Sequence, residues 1–247
     1  MQTEDILVSI ITPVFNGEKT IAKAIESVLN QTYENIEYIV VDGASNDNTL
    51  EVIEAYQDRF MNGKKIKIIS EPDSGMYEAL NKGIHIAQGL LIGNINADDW
   101  YEPTAVEEMV DLYKRKRYGI AWASIMIHGK NRIYIKRAKI DKIWTTAHFC
   151  HPTMFALKEV LIDYPYLEKN LDDDFDMILR ANKGGIRMCV SNKILAHYTL
   201  GGMSTERSIK NMLYRVSMKR NTYARNGYSR LYWIYCLSVE IIKYFAR

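Results

Sequence analysis

Through the first hundred residues, short apolar runs alternate with segments in which apolar residues recur at helical spacing. β-Branched blocks of this length favour strands buried on both faces, and they occur at Ile6–Thr12, Ile36–Val41, Ile66–Ile69 and Leu90–Ile95. Apolar residues recur at helical intervals between these blocks, over Lys19–Asn30, Leu50–Phe60 and Gly75–Gln88. Strand–helix alternation with short loops predicts a Rossmann-like α/β fold, with a mostly parallel central sheet flanked by helices. Ligands of such sheets bind beyond the carboxyl ends of the strands.

The pattern is less regular after Asp99. Turn and cap residues predict two helices, Thr104–Lys116 and Asp173–Lys183. They also predict two hairpins, one of Ile120–Ile127 with Arg132–Lys136 and one of Arg187–Val190 with Lys193–Tyr198. From Thr205 the spacing is helical, with a break at Asn226-Gly227. We therefore expect one domain over residues 1–204 and a helical tail over 205–247.

Composition limits the environment of the protein. The 247 residues have a formal net charge of +2, and the three cysteines form no CxxC pair. Widely spaced cysteines in odd number favour free thiols in a reducing compartment over disulfides or a zinc site. The acidic N-terminus lacks the basic start of a signal peptide, and no stretch approaches the roughly 20 apolar residues of a spanning helix. We expect a cytoplasmic protein, or one peripheral to the inner face of the plasma membrane.

Polar residues follow three of the four predicted strands. The tips are Thr12-Pro13-Val14-Phe15-Asn16-Gly17-Glu18, Asp42-Gly43-Ala44-Ser45 and Asn96-Ala97-Asp98-Asp99. Strand ends need turn residues whatever their function, and this explains any one loop taken alone. On a parallel sheet, however, the three tips lie side by side, so the set predicts one crevice that contains carboxylates, an aromatic ring and backbone amides.

Two adjacent acids, Asp98 and Asp99, stand at the last of these tips. Carboxylates this close repel each other unless a cation neutralises them. Hard oxygen ligands select Mg²⁺ or Mn²⁺, and these ions keep coordination positions open for phosphate oxygens. Asp99 has a second interpretation, as a cap of the helix that begins near Thr104.

The segments Val8–Thr49 and Ser70–Tyr101 resemble the nucleotide-binding half of family 2 glycosyltransferases with the GT-A fold, of the kind that builds bacterial surface polysaccharides. The similarity runs from Leu7 to Tyr101, and more weakly to Ser204. It implies a nucleotide-sugar-binding half over residues 1–101 and an acceptor-binding half over 102–204. It also implies transfer of a sugar, with inversion, from a nucleotide-diphosphate donor such as a UDP-sugar to an acceptor hydroxyl.

The resemblance also implies roles for individual residues. In the first loop an aromatic ring, here Phe15, packs on the base, and Asp42 hydrogen-bonds that base. Asn96-Ala97-Asp98 takes the place of the family's Asp-x-Asp motif, in which the first position contacts the ribose and the last holds the metal. The residues expected to bind the nucleotide sugar are Thr12, Pro13, Phe15, Asn16, Glu18, Asp42, Asp73, Asn81, Lys82, Asn96, Ala97 and Asp98.

Four acids in five positions begin the predicted helix at Asp173. Acids at a helix start can simply complement the helix dipole. They also resemble the family's Glu-Asp-Tyr motif, which makes Asp174 the catalytic base and leaves Asp173 as the alternative in a shifted register. A sugar hydroxyl needs such a base, because it is a poor nucleophile until a carboxylate removes its proton.

Two histidines and a glycine-rich loop complete the expected site. His151 resembles the acceptor-side segment of related enzymes, although a lone histidine is more often structural. His197 resembles the downstream metal ligand of some GT-A enzymes, which would join Asp98 and Asp99 around the ion. The loop Gly201–Ser204 can approach the donor phosphates closely, since glycine permits close backbone contact.

The tail is basic and aromatic. From Arg207 onward the single acid is Glu240, and the bases are Arg207, Lys210, Arg215, Lys219, Arg220, Arg225, Arg230, Lys243 and Arg247. Basic amphipathic helices with Trp and Tyr adsorb to anionic bilayers. The alternative is an apolar face that packs on the domain beneath solvated charges. Nucleic acid is a poorer partner, since no binding motif is present.

The sequence thus predicts a metal-dependent glycosyltransferase acting on a glycan or lipid-linked sugar acceptor. One alternative is a sugar-nucleotidyltransferase, but the first loop lacks the Gly-rich basic sequence that those enzymes carry. Another is a non-catalytic, membrane-associated protein that binds nucleotide sugars. Asn16-Gly17-Glu18-Lys19-Thr20 is not a Walker loop, because the upstream glycine spacing is missing.

Overall fold

The computed structural model describes residues 5–61, 63–130, 132–141, 143, 145–200, 208–229 and 231–246. The predicted Gly201–Ser204 loop, the boundary at 204/205 and Arg207, Arg230 and Arg247 lie outside these residues. The strands are β1 (Val8–Val14), β2 (Ile36–Asp42), β3 (Lys65–Ser70), β4 (Leu91–Asn94), β5 (Trp100–Tyr101), β6 (Ile120–His128), β7 (Ile133–Lys136), β8 (Phe155–Leu157) and β9 (Met188–Thr199). The helices are α1 (Ile21–Leu29), α2 (Thr49–Glu54), α3 (Met76–Ile86), α4 (Ala105–Lys116), α5 (Lys158–Asp163), α6 (Asp173–Lys183), α7 (Ile209–Arg225) and α8 (Tyr232–Ala246).

The predicted parallel sheet is present in the first half of the chain. Its strands stand in the order β3-β2-β1-β4, and all three neighbouring pairs are parallel. Every residue of β1, β2 and β4 is buried, including polar residues such as Ser9 and Glu37, as expected for parallel strands that are covered on both faces. Helix α3 lies close against β1, since a Cβ on Gly83 would come within 2.6 Å of Ile11 Cγ2. This packing fixes where the segment before α3 meets the strand tips.

The sheet is mixed beyond β4. Strand β8 joins β4 to β6 through antiparallel pairs, β6 pairs in parallel with β9, and β9 carries the two-residue strand β5. The predicted β6–β7 hairpin is confirmed. The predicted second hairpin is wrong, because β9 is one strand that pairs with β6 from Ile120–Met188 to His128–Thr199. Between Ser191 and Ile194 the register shifts, so the polar Asn192-Lys193 forms a bulge rather than a turn.

The tail packs on the domain through α6. Phe175 and Leu179 of α6 form a small hydrophobic cluster with Tyr223 of α7 and Cys236 of α8. The predicted break between the tail helices is confirmed, and Gly227 there has a φ of +83°, which glycine adopts without a steric penalty. One face of the tail is therefore bound to the domain, as the packing alternative predicted.

A buried acid joins the two tail helices. Glu240 of α8 is 1% exposed, and its carboxylate accepts hydrogen bonds from Arg215, at 2.8 Å, and from Lys219 of α7. Glu240, the single acid that follows Arg207 in the sequence, is thus used within the tail. Within the described part of the chain, no helix has the length and apolar character needed to cross a bilayer.

Candidate active site

A cleft of about 970 Å³ opens at the carboxyl edge of the parallel strands. This volume is at the upper end of the range of about 300–1,000 Å³ for small-molecule sites. Its walls come from the tips of β1, β2 and β4, the start of α3, the segment before α6 and one residue of α7. The predicted site residues that line it are Pro13, Phe15, Asn16, Asp73, Asn96, Ala97, Asp98, His151 and Asp174.

The first loop presents an aromatic ring to the cleft. Phe15 is 59% exposed, an unusual position for a phenylalanine directly after a buried strand. The next residue, Asn16, has a φ of +52°, a conformation that asparagine tolerates better than most residues. Its amide donates to Ser45 Oγ and its side-chain oxygen accepts from the Asn46 amide, both at 2.8 Å. These bonds join the tips of β1 and β2 and fix the backbone beside the exposed ring.

Asp42 lies beneath the cleft rather than on its surface. It is 1% exposed, and its carboxylate accepts hydrogen bonds from the hydroxyls of Ser45 and Ser70, the latter at 2.7 Å. Its neighbour Gly43 does line the cleft, where a Cβ would stand 2.8 Å from Asp73 Oδ2. Asp42 therefore joins the tips of β2 and β3, while Gly43 allows the Asp73 carboxylate to approach the backbone.

Asn81 and Lys82 of α3 do not line the cleft. The Asn81 side chain bonds the backbone of Tyr166 in both directions, at 2.9 and 3.2 Å, and donates to Glu168 at 2.6 Å. Lys82 Nζ donates to the Pro72 carbonyl and pairs with Glu71 and Glu78. These contacts connect both side chains to the segments 71–73 and 166–168 beside the cleft, and their expected contact with the donor stays a prediction.

Two further residues of the first loop are also structural. Thr12 is fully buried and accepts a hydrogen bond of 2.9 Å from the Tyr38 hydroxyl. Glu18 Oε2 accepts from the Asn48 amide at 3.1 Å. Neither lines the cleft, so the structure places Thr12 and Glu18 in the framework of the strand tips, and their expected contact with the nucleotide sugar stays a prediction.

The two acids after β4 have different environments. Asp98 lines the cleft, and burial raises the pKa of its carboxyl. Asp99 is fully buried beneath it, where its carboxylate accepts from the Thr199 amide at 2.9 Å and from Asn96 Nδ2 at 3.2 Å. Burial, with the Asp98 charge added, raises the pKa of Asp99 to about 8. Asp99 can thus relieve the repulsion by holding a proton, and it supports the loop rather than binding an ion.

Asn96 completes this tip. Its Nδ2 is used by Asp99, whereas its Oδ1 is buried without a hydrogen-bond partner among the described residues. A buried acceptor without a partner is uncommon, because it loses its hydrogen bond to water. A hydroxyl group of a bound ligand would satisfy it.

His197 belongs to a different cluster. Its Nε2 lies 2.6 Å from Glu102 Oε1, its Nδ1 lies 2.8 Å from His128 Nε2, and its ring stacks on Trp100 at 4.7 Å. This cluster borders a separate pocket of about 280 Å³, and His197 does not line the main cleft. Both ring nitrogens are engaged by the protein, so the predicted metal-ligand role of His197 is not supported.

The described residues contain no group of three or more His, Cys, Asp or Glu side chains placed to hold a metal ion. Asp98 is the carboxylate that faces the cleft at this tip. Mg²⁺ commonly binds through one or two carboxylates together with substrate phosphates and water. The residues present therefore fit a divalent ion carried in with a diphosphate, and do not form a closed protein cage.

The start of α6 distinguishes the two candidate bases. Asp174 lines the cleft, and burial raises its pKa to about 6, although the Phe175 amide and the Tyr77 side chain act in the opposite direction. Asp173 is fully buried, its Oδ2 accepts from the Lys169 amide at 2.5 Å, and its Oδ1 lies 3.9 Å from the Arg225 guanidinium. Asp174 is therefore the acid that a substrate can reach.

His151 lines the cleft but is largely buried. Its Nε2 lies 3.3 Å from the Tyr166 hydroxyl and its Nδ1 lies 3.5 Å from Asn94 Nδ2. Burial lowers the pKa of His151 to about 4. At neutral pH the ring is therefore uncharged and can serve as a hydrogen-bonding group of the cleft wall.

Three tyrosines that the sequence did not single out also line the cleft: Tyr77 of α3, Tyr198 of β9 and Tyr214 of α7. The Tyr77 hydroxyl donates to the Leu171 carbonyl at 3.0 Å, so it joins α3 to the segment before α6. Tyrosines are spread through this chain, and nothing in their local sequence separates these three from the others. Only the tertiary contacts identify them.

Comparison with known proteins gives consistent results. The profile of the family described as "Glycosyl transferase family 2" matches residues 9–166. The chain is 31% identical over 217 residues to a chondroitin synthase of Pasteurella multocida and 30% identical over 219 residues to one of Escherichia coli. These alignments cover 83% of this chain but only 22% and 30% of those proteins, so the chain spans about a fifth to a third of their length.

Solved structures share the fold at lower identity. Staphylococcus aureus TarS 1-349 in complex with UDP-GlcNAc is similar with a TM-score of 0.69 at 17% identity, over 98% of this chain and 73% of that one. The mannosyltransferase PcManGT from Pyrobaculum calidifontis, in complex with GDP-Man and Mn²⁺, gives a TM-score of 0.67 at 14% identity, over 99% and 76%. These similarities confirm the predicted GT-A fold, and with the profile match they show that the chain belongs to glycosyl transferase family 2.

Proposed function

We propose that this chain transfers a sugar from a UDP-sugar to a hydroxyl group of a glycan, with inversion at the anomeric carbon and with the help of a divalent metal ion. Membership of family 2 gives the reaction class, which is glycosyl transfer from a nucleotide sugar. The observation that carries the proposal is that Phe15, Asp98 and Asp174 line one cleft. They supply a ring for a base, a carboxylate for a metal-bound diphosphate and an acid that can accept a proton.

The donor is proposed to lie along the strand tips. Its base would pack on the exposed ring of Phe15, and a ribose hydroxyl would donate to Asn96 Oδ1, the buried acceptor that lacks a protein partner. The similar TarS structure contains UDP-GlcNAc, which favours a uridine nucleotide over the guanosine nucleotide of PcManGT. The donor sugar would then extend past Asp98 toward Asp174.

Asp98 is the residue proposed to hold Mg²⁺ or Mn²⁺. When bound, such an ion neutralises the negative charge that develops on a departing diphosphate. The support in this chain is that Asp98 lines the cleft at the tip of β4, beside the proposed path of the donor diphosphate. The similar PcManGT structure contains Mn²⁺.

Asp174 is the proposed base. It would remove the proton of the acceptor hydroxyl while that oxygen attacks the anomeric carbon from the face opposite the diphosphate, so the configuration inverts. The bond from the anomeric carbon to the diphosphate oxygen breaks in the same step, and the diphosphate leaves with the bonding electrons. A pKa of about 6 keeps Asp174 ionised at neutral pH yet more basic than an ordinary carboxylate.

The acceptor is proposed to be a growing surface glycan or a lipid-linked sugar, presented at the cytoplasmic face of a membrane. The tail helix α8 has exposed apolar side chains: Trp233 is 45% exposed, Ile234 51% and Ile242 66%. Leu231, directly before the helix, is 68% exposed. Exposed bases of α7, Lys210 and Arg220, suit an anionic surface. The unpaired cysteines are compatible with a reducing compartment.

Donor hydrolysis tests the proposal without knowledge of the acceptor. The purified chain is incubated with a panel of UDP- and GDP-sugars, with and without Mn²⁺, and nucleotide diphosphate release is measured. We expect release from a UDP-sugar that requires the metal, and a decrease of at least about 100-fold for Asp98→Ala. Glu54→Gln, a change of an exposed acid of α2 outside the cleft, is the matched control and should retain the activity.

The alternative functions give other outcomes. A non-catalytic protein would show a UDP-dependent thermal shift but no diphosphate release with any donor. A sugar-nucleotidyltransferase would consume a UDP-sugar only when pyrophosphate is added, and would form UTP. Either result contradicts the proposed transfer.

A further inference from the structure

The tail helix α7 contributes a side chain to the cleft. Tyr214 is 56% exposed and lines the same cleft as Asp98 and Asp174, whereas its equally exposed neighbour Leu213, at 54%, does not. We propose that Tyr214 is a platform for the acceptor sugar, so that the tail forms part of the acceptor-binding site. This inference rests on the proposed glycosyl transfer and extends it to a segment outside the family match, which ends at residue 166.

The topology places Tyr214 on the acceptor side of the cleft. The sheet begins with the strands β3, β2 and β1, whose tips carry Asp73 and Phe15. Strand β4 is next to β1, and Asp98 follows its tip. Helix α6, which begins with the proposed base Asp174, is the element to which the tail is bound. The attacking hydroxyl is proposed to lie between Asp174 and Tyr214, because both residues line the cleft and the helices that carry them pack together.

The position of Tyr214 along α7 agrees with this placement. Tyr223, further along α7, packs edge-on against Phe175, the residue after Asp174, with ring centroids 5.7 Å apart. Tyr214 precedes Tyr223 by nine residues, which is two and a half turns of helix, or about 14 Å at 1.5 Å per residue. The contact with α6 therefore holds α7 at a point well along the helix from Tyr214.

Buried ion pairs hold Tyr214 in place. The next residue, Arg215, donates to Glu240 of α8, and Lys219 one turn later donates to the same carboxylate. At the other end of the helix, Arg225 and Asn226 contact the buried Asp176 of α6. A helix bound at both ends presents Tyr214 in one orientation, which lowers the entropic cost of using it to bind a ligand.

The chemistry of the side chain suits a sugar. A pyranose ring has a face of C–H groups with a slight positive polarisation, and the face of an aromatic ring is negative. The same cleft is also lined by Tyr198, Asn170 and Glu168, which can exchange hydrogen bonds with sugar hydroxyls. An exposed aromatic ring in a cleft that also offers these polar groups suits a saccharide, which has both an apolar face and hydroxyl groups.

The test uses the full chain with the UDP-sugar identified by donor hydrolysis. Acceptor probes are 4-nitrophenyl glycosides of glucose, galactose, N-acetylglucosamine, N-acetylgalactosamine and glucuronic acid. Transfer is followed as coloured product on chromatography, and glycoside binding by saturation-transfer NMR in the presence of UDP and Mg²⁺. The variants are Tyr214→Ala, Tyr214→Phe and, as the matched exposed control, Leu213→Ala.

We expect Tyr214→Ala to raise the KM or Kd for the glycoside about three- to tenfold, the range for loss of an aromatic contact. Tyr214→Phe and Leu213→Ala should remain near the wild type. Donor KM and hydrolysis without acceptor should be unchanged in all three. An unchanged glycoside KM and Kd in Tyr214→Ala, or an equal change in donor KM, would overturn the proposal.

The two levels of inference fail separately. If the wild type hydrolyses its donor but neither binds nor glycosylates any of the glycosides, the acceptor platform is wrong and the donor chemistry stands. If no donor is hydrolysed or transferred, the proposed function itself fails. If glycosides bind but Tyr214→Ala binds them as the wild type does, Tyr214 belongs to the tail surface only.

Discussion

The guanidinium of Arg225 in the tail lies 3.3 Å from the carboxylate of Asp176 in α6, two residues after the proposed base. Asp176 is fully buried and also receives Arg180 at 2.8 Å and Asn226 at 3.0 Å. The same guanidinium lies 3.9 Å from buried Asp173. The acids on the inner face of α6 are thus balanced partly by the tail, which connects the tail to the helix that carries Asp174.

Arg225→Ala should destabilise the protein. Loss of a charged hydrogen bond to a buried carboxylate costs about 1.5–3 kcal/mol, and Arg180 keeps the cost below that of a wholly unpaired buried charge. Urea unfolding monitored by circular dichroism measures the change. Arg220→Ala, which removes an exposed tail arginine, is the control. Equal stability of the two variants would show that the tail contact carries no free energy.

Asp174→Asn should decrease turnover at least about 100-fold, because general-base catalysis contributes about 10²–10⁴-fold. It should also raise the Tm at neutral pH. The folded pKa of Asp174, about 6, is above its ordinary value of 3.8, so the folded state holds the proton more tightly. The associated stability is present below pH 4 and is lost as the pH rises toward 6, whereas asparagine does not ionise.

Thermal unfolding of Asp174→Asn and wild type between pH 4 and pH 8 tests this sign. The Tm difference between the variant and the wild type should grow from pH 4 to about pH 6 and then stay constant. Each kcal/mol of difference in unfolding free energy corresponds to about 2–4 °C of Tm. A variant that is inactive but less stable than the wild type at pH 7 would contradict the burial argument. Wild-type turnover in the variant would remove Asp174 from the mechanism.

Tyr77→Phe should move the acid side of the pH–rate profile to higher pH. The Tyr77 side chain lowers the pKa of Asp174 against the larger effect of burial. Without its hydroxyl, the base should lose its proton at a pH above 6. The measurement is kcat/KM for glycosyl transfer, or for donor hydrolysis, between pH 5 and pH 8. The control is Tyr118→Phe. The Tyr118 hydroxyl donates to the Met109 carbonyl, so its loss should leave the pH–rate profile unchanged.

Phe15→Ala should weaken donor binding without affecting the fold. Stacking of a base on an aromatic ring is worth about 1–3 kcal/mol, so we expect the KM for the UDP-sugar to rise roughly five- to 100-fold. The side chain is 59% exposed, so the Tm should change little. Met61→Ala removes an apolar side chain of the same exposure, 59%, outside the cleft. A shift of the KM by both variants would refute the specific contact.

The exposed apolar residues at the start of α8 predict membrane binding. Changing Leu231 and Trp233 together to serine should decrease co-sedimentation with vesicles of phosphatidylglycerol and phosphatidylcholine at least about fivefold, because apolar burial is lost. Ile133→Ser, at a residue of β7 that is 62% exposed, is the control. Equal binding by all three proteins would leave the tail without a membrane role.

The sequence was sufficient for the parallel strands of the first half of the chain. Strands such as β1 and β2 are mainly apolar and β-branched, so local pattern and burial agree. The helix Asp173–Lys183 was also predicted with the observed bounds, since acids at its start and Gly184 after its end define it locally. The hairpin predicted at Ser191-Asn192 failed, because polar residues in a long strand form a bulge as readily as a turn when a parallel neighbour continues to pair.

Sequence by itself therefore determined the family, the order of the elements from β1 to β4 and the residue types at the strand tips, because these depend on short-range patterns. Only the tertiary structure decided which of those residues face the cleft. It separated Asp98 from Asp99 and Asp174 from Asp173 by burial, and it brought Tyr214 from the tail to the same cleft. Neighbours in sequence have similar local patterns, whereas exposure and pKa depend on the groups that distant segments pack around each side chain.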